Sequence, residues 1–321
     1  MSNKSEYREF VAKTYVPIYS QVWWLDAICG PDNWDVWLYK RGEEILAAMP
    51  YYFENRGNYR YITKAPLTQN NGILFYYEPN AKIQKKAHFE EKVIDALTEW
   101  LKESHWDVYE QQYIHTFNNW QPFFWNSFKC VLRYSYLIED TSDMSRVVSG
   151  YSSNLRKNIK KGKSKAKSII EISAEKFYFE HEKVYKKQNL DCPFSYELWE
   201  RLYNVCSLHE CGKALAVLNH NDQISSLAYF VWDEKYVYFL MGGSIPEYSG
   251  DNTFSLLMHN GIELASTMNK AFDFEGSMIK RVAKAMREFG GIPTPYYRIR
   301  KIYNPDIIRM EAEQDIKRLS E

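Results

Sequence analysis

The 321-residue sequence lacks any apolar run near the roughly 20 residues that a membrane-spanning helix needs, and its N-terminus shows no signal-peptide pattern. It also lacks net charge, because 41 Lys and Arg residues balance 41 Asp and Glu residues. No field from the whole molecule therefore attracts nucleic acid, and an anion site requires a local cluster of cations. These absences predict a cytoplasmic protein with no transmembrane segment.

Cysteine is scarce and irregularly placed. The chain has five: Cys29, Cys130, Cys192, Cys206 and Cys211. The odd number and wide spacing argue against a disulfide framework. Cys206 and Cys211 flank His209, but no paired Cys-x-x-Cys accompanies them, so ordinary buried thiols are favoured over zinc and no metal site is expected. The motifs G-x-S-x-G, H-E-x-x-H and the P-loop are also missing.

Apolar material is plentiful. Hydrophobic residues make up 45% of the chain and aromatic residues 17%, which argues against long disordered regions. The length is sufficient for two domains of ordinary size.

Two stretches of the sequence share one order of predicted elements. Strands at 34–39 and 45–53 flank a polar turn, and strands at 214–218 and 224–232 flank another. A helix and a further strand follow each hairpin. The apolar stripes of these helices are Phe89, Val93, Leu97 and Leu101 in the first, and Phe254, Met258, Gly261, Ile262 and Ala265 in the second.

This repetition predicts two copies of one α/β unit. The helix-capping signal at Thr141 and Ser142, just after a strand at 133–138, places the boundary near residue 140. The expected domains are therefore 1–140 and 141–321.

Residues 151–168 contain seven basic residues and no acid. On a helix, Arg156, Lys160, Lys163 and Lys167 would form one cationic stripe. One interpretation is a solvated face, with Gly162 ending the helix. The other is anion recognition, in which Arg grips a phosphate with two parallel hydrogen bonds and Lys adds charge.

The basic segment and the region from Glu263 to Lys301 together resemble the Fem-type branch of the GNAT-fold acyltransferases, which includes peptidoglycan-bridge aminoacyltransferases and FemAB-like acetyltransferases. The second region has a helix, a strand with Asp273 and Glu275, Gly276, and a basic helix at about 279–288. The resemblance implies tandem GNAT-like α/β domains with a mixed sheet, and a cleft for acyl transfer in the second domain.

The resemblance also assigns site residues. Residues 154–161 match a Fem motif whose Arg contacts substrate phosphates, which implies that Arg156 and Lys160 bind phosphate. In the GNAT fold two neighbouring parallel strands splay apart to receive the acyl donor. Strands at 236–244 and 271–277 would form this cleft. Gly242 and Gly243 would remove side chains where a ligand approaches, or would simply end the strand in a turn. The candidate donors near the same opening are Tyr238, Ser244 and Tyr248.

Asp273 and Glu275 are the candidate catalytic residues. Two apart on a strand, they would share one face, opposite Phe272 and Phe274. Either carboxylate could accept the proton of an attacking amine. The alternative is a structural role in pairing with nearby cations.

Two departures from the family pattern are visible. The GNAT pyrophosphate loop is replaced by residues 248–255, where Asp251 would repel phosphate, and its loss is shared by the Fem-type branch. Arg287 stands near the position where many Fem proteins have Lys before a final Phe-Gly, and it is a candidate substrate-binding residue. We expect Arg156 and Lys160 to line the rim of the cleft and Arg287 to approach it from the opposite wall.

The implied activity is transfer of an acyl or aminoacyl group to a primary amine, without metal or a tightly bound cofactor. The implied donor is acyl-CoA or aminoacyl-tRNA. The implied acceptor is a phosphate-bearing or lipid-linked substrate such as a cell-wall precursor. A degenerate GNAT-like binding protein for a phosphorylated or glycan ligand remains the alternative.

Overall fold

The computed structural model of the chain describes residues 2–186 and 189–320. The chain divides into two compact units: residues up to 133 with those from 295 onward form the first, and residues 134–294 form the second. The expectation of continuous domains 1–140 and 141–321 differs from this division in two places, because the first boundary lies at residue 133 and the residues from 295 onward belong to the first unit. Residues 298–302 pair antiparallel with residues 108–112, which ties the C-terminal strand to the first unit.

The chain enters the first unit with helices that precede a sheet. Its elements before the boundary are α1 Asn3–Val11, a 3-10 turn Ile18–Ser20, α2 Val22–Cys29, β1 Trp34–Arg41, β2 Glu44–Arg56, β3 Tyr59–Thr63, β4 Leu74–Phe75, α3 Ile83–Glu103, β5 Val108–Gln112 and α4 Gln121–Trp125. Strand β6, Lys129–Ile138, crosses the boundary at residue 133, and its second half belongs to the second unit.

The second unit follows, and the chain then returns to the first. The elements are α5 Met144–Ser149, α6 Ser153–Lys165, β7 Ala166–Glu171, α7 Ala174–Lys186, α8 Tyr196–Leu208, β8 Gly212–Asn219, β9 Ile224–Trp232, β10 Tyr236–Ser244, a 3-10 turn Pro246–Asp251, α9 Thr253–Thr267, β11 Ala271–Asp273, α10 Lys280–Glu288, β12 Ile292–Ile302 and α11 Pro305–Ser320. Among the described residues, no helix combines the length and apolar character needed to cross a membrane.

The two units repeat one pattern of strand pairing. In the first, the order is β1-β2-β3-β5-β12; β1 and β2 pair antiparallel, as do β2 and β3, whereas β3 and β5 are parallel and β5 and β12 antiparallel. In the second, β8-β9-β10-β11-β6 follows the same sequence of antiparallel, antiparallel, parallel and antiparallel pairs, with β7 added outside β8. The predicted tandem α/β architecture with mixed strand directions is confirmed.

Each unit has an apolar core with its predicted helical stripe. Val93, Leu97 and Leu101 of α3 are fully buried in the first unit. In the second, α9 buries Met258, Ile262 and Ala265 with other apolar residues. The stripe periodicity predicted both helices because one face of each must leave water.

The basic segment forms helix α6, with two differences from prediction. Ser152 caps it by accepting a hydrogen bond from Leu155 N at 3.0 Å. Gly162 does not end the helix, which continues to Lys165. Lys167 lies in β7 rather than on the helix, so the cationic stripe of α6 contains only Arg156, Lys160 and Lys163.

The cap of α5 also differs from prediction. The predicted Thr141 and Ser142 lie outside the cap itself. Asp143 is the N-cap, and its Oδ1 accepts hydrogen bonds from Ser145 N at 2.9 Å and Arg146 N at 3.2 Å. A carboxylate satisfies two of the open N–H groups of the first turn at once.

Candidate functional site

The neighbouring parallel strands expected in the second unit are β10 and β11. They pair over three positions, from Tyr236 opposite Ala271 to Tyr238 opposite Asp273. Beyond that point β11 ends, whereas β10 continues to Ser244 and stays paired with β9. The two strands are therefore no longer paired beyond Tyr238 and Asp273, and we call this end of the pairing the gap between β10 and β11. It lies at the carboxyl ends of the strands, where ligands bind in open α/β sheets.

Gly242 and Gly243 lie in the part of β10 beside this gap, next to a pairing irregularity between Phe239 and Met241. A Cβ at Gly242 would lie 2.4 Å from the Leu227 carbonyl oxygen, at a φ of +154° that disfavours a side chain. A Cβ at Gly243 would lie 2.9 Å from Val184 Cγ1 of α7. Packing inside the unit thus accounts for both glycines, and contact of their backbone with a ligand stays a prediction.

Asp273 is the last residue of β11 and is only 6% exposed. Ser135 Oγ donates a short hydrogen bond to its Oδ1, and Glu275 N donates to the same oxygen at 2.7 Å. Burial raises the pKa of this carboxyl to about 6, against the lowering effect of the two hydrogen bonds, and the charge of Asp233 adds to the rise. A carboxyl with this pKa changes protonation near neutral pH, as a general base requires.

Glu275 does not share a strand face with Asp273, which corrects the sequence interpretation. The strand stops at Asp273, and Glu275 and Gly276 have φ of 58° and 66°. Phe274 N instead donates to Tyr136 O of β6 at 3.0 Å, which turns the chain away from β10. The Glu275 residue is half-buried, and burial raises the pKa of its carboxyl well above the usual value.

Phe272 and Phe274 lie on the helix-covered side, as predicted. The Phe272 ring is 6.1 Å from that of Phe230, and the Phe274 ring is 5.6 Å from that of Phe289. Both belong to the apolar core of the unit. The core thereby holds in place the two residues that precede and follow Asp273 in the sequence.

The other candidates in and after β10 have separate environments. The hydroxyl of buried Tyr238 donates to Asp233 Oδ2 at 2.9 Å. Ser244 is the last residue of β10 and pairs with Ser226 of β9. Tyr248 lies in the following 3-10 turn and lines a groove with Lys176 and Lys183 of α7. Their binding roles stay predictions.

Arg156 is exposed on the second turn of α6 and has local partners. Its Nη1 donates to the carbonyl oxygens of Tyr151 and, at 3.5 Å, Ser149 at the end of α5. Lys160 is exposed one turn further along, whereas Lys167 pairs with Asp222 at 2.6 Å. The guanidinium therefore helps to hold the junction before α6 and keeps donors available for an anion.

Arg287 lies exposed in the last turn of α10. The end of this helix meets the start of α6, because Ser152 N donates to Glu288 O at 2.9 Å. The Tyr151 and Phe289 rings pack edge to face at 5.5 Å beside this junction. The structure thus brings together the helices of Arg156 and Arg287, and their approach to the gap beside β10 stays a prediction.

Sequence reasoning missed Ser135, the side chain that donates to Asp273. The two residues are 138 positions apart, and β6 pairs antiparallel with β11 through Leu137 opposite Asp273. The only signal in the sequence is the alternation of the strand at 133–138, in which Ser135 is a polar residue on the side of Leu137. Pairing of two distant strands does not follow from local pattern.

Solved structures of low sequence identity share this fold. FemX matches with a TM-score of 0.69 and 10% identity over 96% of this chain and 98% of that one. A tandem GNAT protein from the clavulanic acid biosynthesis pathway matches at 0.55 and 8% identity, over 94% and 95%. The C-terminal domain of a putative lysylphosphatidylglycerol synthetase from Agrobacterium fabrum matches at 0.53 and 9% identity, over 97% and 95%.

No family model matches the sequence, and no curated protein matches it significantly. The likeness is therefore one of structure. The chain has the tandem GNAT fold of the Fem-type acyltransferases, and the resemblance inferred from its basic segment and acidic strand is confirmed at the level of the fold.

Proposed function

We propose that the chain is an N-acyltransferase that moves an acyl or aminoacyl group to a primary amine at the gap between β10 and β11. The observation that carries this proposal is the early end of their parallel pairing at Tyr238 and Asp273. A planar acyl group fits between two separating strands, where the unpaired edge of β10 offers backbone N–H groups to a developing oxyanion. Asp273, whose pKa is raised to about 6, is the last residue of β11 and lies where this pairing ends.

The donor is either acyl-CoA or aminoacyl-tRNA. The 3-10 turn Pro246–Asp251 occupies the place where a GNAT pyrophosphate loop would open the helix that follows. Asp251 there disfavours the pyrophosphate of CoA. This observation favours aminoacyl-tRNA, whose ester also reacts with an amine.

The acceptor is an amine on a phosphate-bearing molecule, in the cytoplasm or at a lipid surface. Arg156, Lys160 and Arg287 supply exposed cations on helices that meet. A cell-wall precursor and a lipid-linked aminoacyl acceptor both carry phosphate. The structural likeness to FemX and to a lysylphosphatidylglycerol synthetase domain supports this range of acceptors.

A transfer assay tests the proposal. Purified protein is incubated with acetyl-CoA or with aminoacyl-tRNA, each with UDP-MurNAc-pentapeptide or phosphatidylethanolamine vesicles, both of which carry a primary amine, and product is detected by mass spectrometry. Transfer that depends on the protein supports the proposal. Absence of product from every pair, together with binding, would favour the degenerate binding protein.

Thermal shift separates binding from chemistry. A ligand at 100 times its Kd stabilises the native state by about 2.7 kcal/mol. The alternative function predicts a shift with a phosphorylated or glycan ligand and no turnover. That alternative draws support from Arg156, whose guanidinium already bonds two carbonyl groups of its own unit.

A further inference from the structure

The environment of Asp273 is asymmetric between its two carboxyl oxygens. Ser135 Oγ and Glu275 N both donate to Oδ1. Among the described residues, no donor is found for Oδ2, and this oxygen is not fully buried. One oxygen is thus held in place, and the other is available to accept a proton.

The holding groups are themselves fixed. The chain after β11 lies directly on β6, since a Cβ at Gly276 would be 2.0 Å from Tyr134 O and 2.5 Å from Ser135 Cα. The bond from Phe274 N to Tyr136 O ties the same segment. Glu275 is kept at a φ of 58°, a conformation that non-glycine residues seldom adopt, and this aims its N–H at Asp273.

We propose that Ser135 positions Asp273 as the proton acceptor of the transfer reaction, and that Glu275 contributes its backbone N–H rather than its carboxylate. This inference rests on the proposed function for the identity of the reaction. Ser135 is a positioning residue, because it acts on the substrate only through Asp273. Donors that bind one oxygen of a carboxylate limit the rotation of the carboxyl group. They thereby keep the other oxygen in the orientation that the reaction needs.

The step balances as follows. The amine nitrogen attacks the acyl carbonyl carbon, and Asp273 Oδ2 takes one proton from that nitrogen as the N–C bond forms. The C–S bond of a thioester or the C–O bond of an aminoacyl ester then breaks. The leaving sulfur or oxygen receives the proton from Asp273, so amine and acyl donor become amide and protonated leaving group.

Charged and titratable groups near Asp273 define the pH dependence. Asp233 lies between β9 and β10 and raises the pKa of Asp273, while Tyr236 and Tyr238 of β10 pair opposite β11. Glu275 follows on the same chain. The hydrogen bond from Ser135 favours the carboxylate, so its removal moves the pKa of Asp273 further up.

The test compares Ser135→Ala with Ser168→Ala, a serine of the outer strand β7, in the full chain. The Asp carboxyl carbons are labelled with 13C, and Asp273→Asn identifies the Asp273 signal in NMR titrations. We expect that signal to titrate near pH 6 in the wild type and at higher pH in Ser135→Ala. In Ser168→Ala it should titrate at the same pH as in the wild type. Titration near the usual Asp value, or no change in Ser135→Ala, overturns the inference.

Turnover adds the second measurement, with acetyl-CoA and alanyl-tRNA as donors and UDP-MurNAc-pentapeptide as the amine. We expect Asp273→Asn to lower kcat at least 100-fold. In Ser135→Ala the acid limb of kcat/KM should move to higher pH. In Glu275→Asn, which tolerates the left-handed backbone and keeps the N–H, the acid limb of kcat/KM should keep its wild-type position.

The outcomes separate the two proposals. Loss of the acid limb of kcat/KM in Glu275→Asn, or full activity in Asp273→Asn, overturns the assignment of the base. Wild-type protein without turnover on either donor, but with the expected NMR shifts, contradicts the proposed function and leaves the positioning by Ser135 standing. If Ser135→Ala fails to fold, Ser135→Cys, a weaker donor, gives the same titration test.

Discussion

Gly162 of helix α6 packs against the carbonyl oxygen of Asn252, the residue that caps helix α9. A Cβ at position 162 would lie 2.7 Å from that oxygen and 3.2 Å from Leu256 Cβ. The two helices meet here at a distance that only glycine allows. The contact explains why a glycine persists within a basic helix, and it holds the segment that carries Arg156 and Lys160.

Gly162→Ala should destabilise the protein. Alanine is the better helix former by about 1 kcal/mol, but its methyl group meets backbone that has no rotamer to yield, and overpacking costs about 1–3 kcal/mol. We expect a net loss of up to about 2 kcal/mol in chemical denaturation. Gly250→Ala is the control, because a Cβ there has no neighbour within 4 Å. Equal stability of the two variants would contradict the close contact.

Arg156→Ala should weaken binding of a phosphate-bearing ligand by about 1.5–3 kcal/mol, as expected for a hydrogen bond to a charged group. Arg156→Lys should recover part of the loss, because lysine lacks the planar fork. Isothermal titration at low salt measures both, with exposed Lys157→Ala as the matched control. Unchanged affinity in Arg156→Ala contradicts the predicted phosphate site.

Arg156→Ala should also lower the stability of the ligand-free protein. Sequence reasoning alone predicted little change in the fold, but the guanidinium bonds to the carbonyl groups of Ser149 and Tyr151. Because these bonds lie at an exposed site, we expect a cost of about 0.5–1 kcal/mol. Denaturation of the ligand-free variant separates this cost from the loss of binding.

Gly243→Ala tests the packing of α7 on β10. The added methyl group would lie 2.9 Å from Val184 Cγ1, so we expect a loss of about 1–3 kcal/mol. Val184→Ala in the same chain removes the opposing methyl groups and should restore part of the stability. A double-mutant cycle measures the coupling, and simple additivity of the two changes would argue against direct contact.

His181 should make stability depend on pH. It is 2% exposed and packs among Phe177, Tyr185 and Phe194, and burial lowers its pKa to about 4. The unfolded state binds the proton near pH 6.5 and the folded state only near pH 4. Stability present above pH 6.5 is therefore lost as the pH falls toward 4, by up to about 3 kcal/mol.

His181→Phe should remove this loss. Asp273 acts with the opposite sign, since its raised pKa stabilises the folded state as the pH falls below about 6. The comparison is therefore the difference in unfolding free energy between wild type and variant at pH 4.5 and 7.5. Exposed His209→Asn serves as control. Parallel pH profiles of wild type and His181→Phe would show that His181 does not titrate between the two states.

The apolar periodicity of the sequence determined the elements of each unit and their repeated order. The hairpins β1–β2 and β8–β9, the stripes of α3 and α9, and the basic helix α6 all follow from local pattern. These features can be predicted from the sequence because one face of each element is buried. Apolar residues therefore recur along the chain with the period of a helix or of a strand.

Only the tertiary structure decided which distant segments meet. It joined β12 to β5, ended β11 at Asp273, and set Ser135 against that carboxylate across 138 positions. The pKa of Asp273 is raised by burial, which depends on the packing of whole strands and not on its neighbours in the chain. Long-range strand pairing and desolvation are properties of the folded arrangement, and local sequence pattern carries no signal for them.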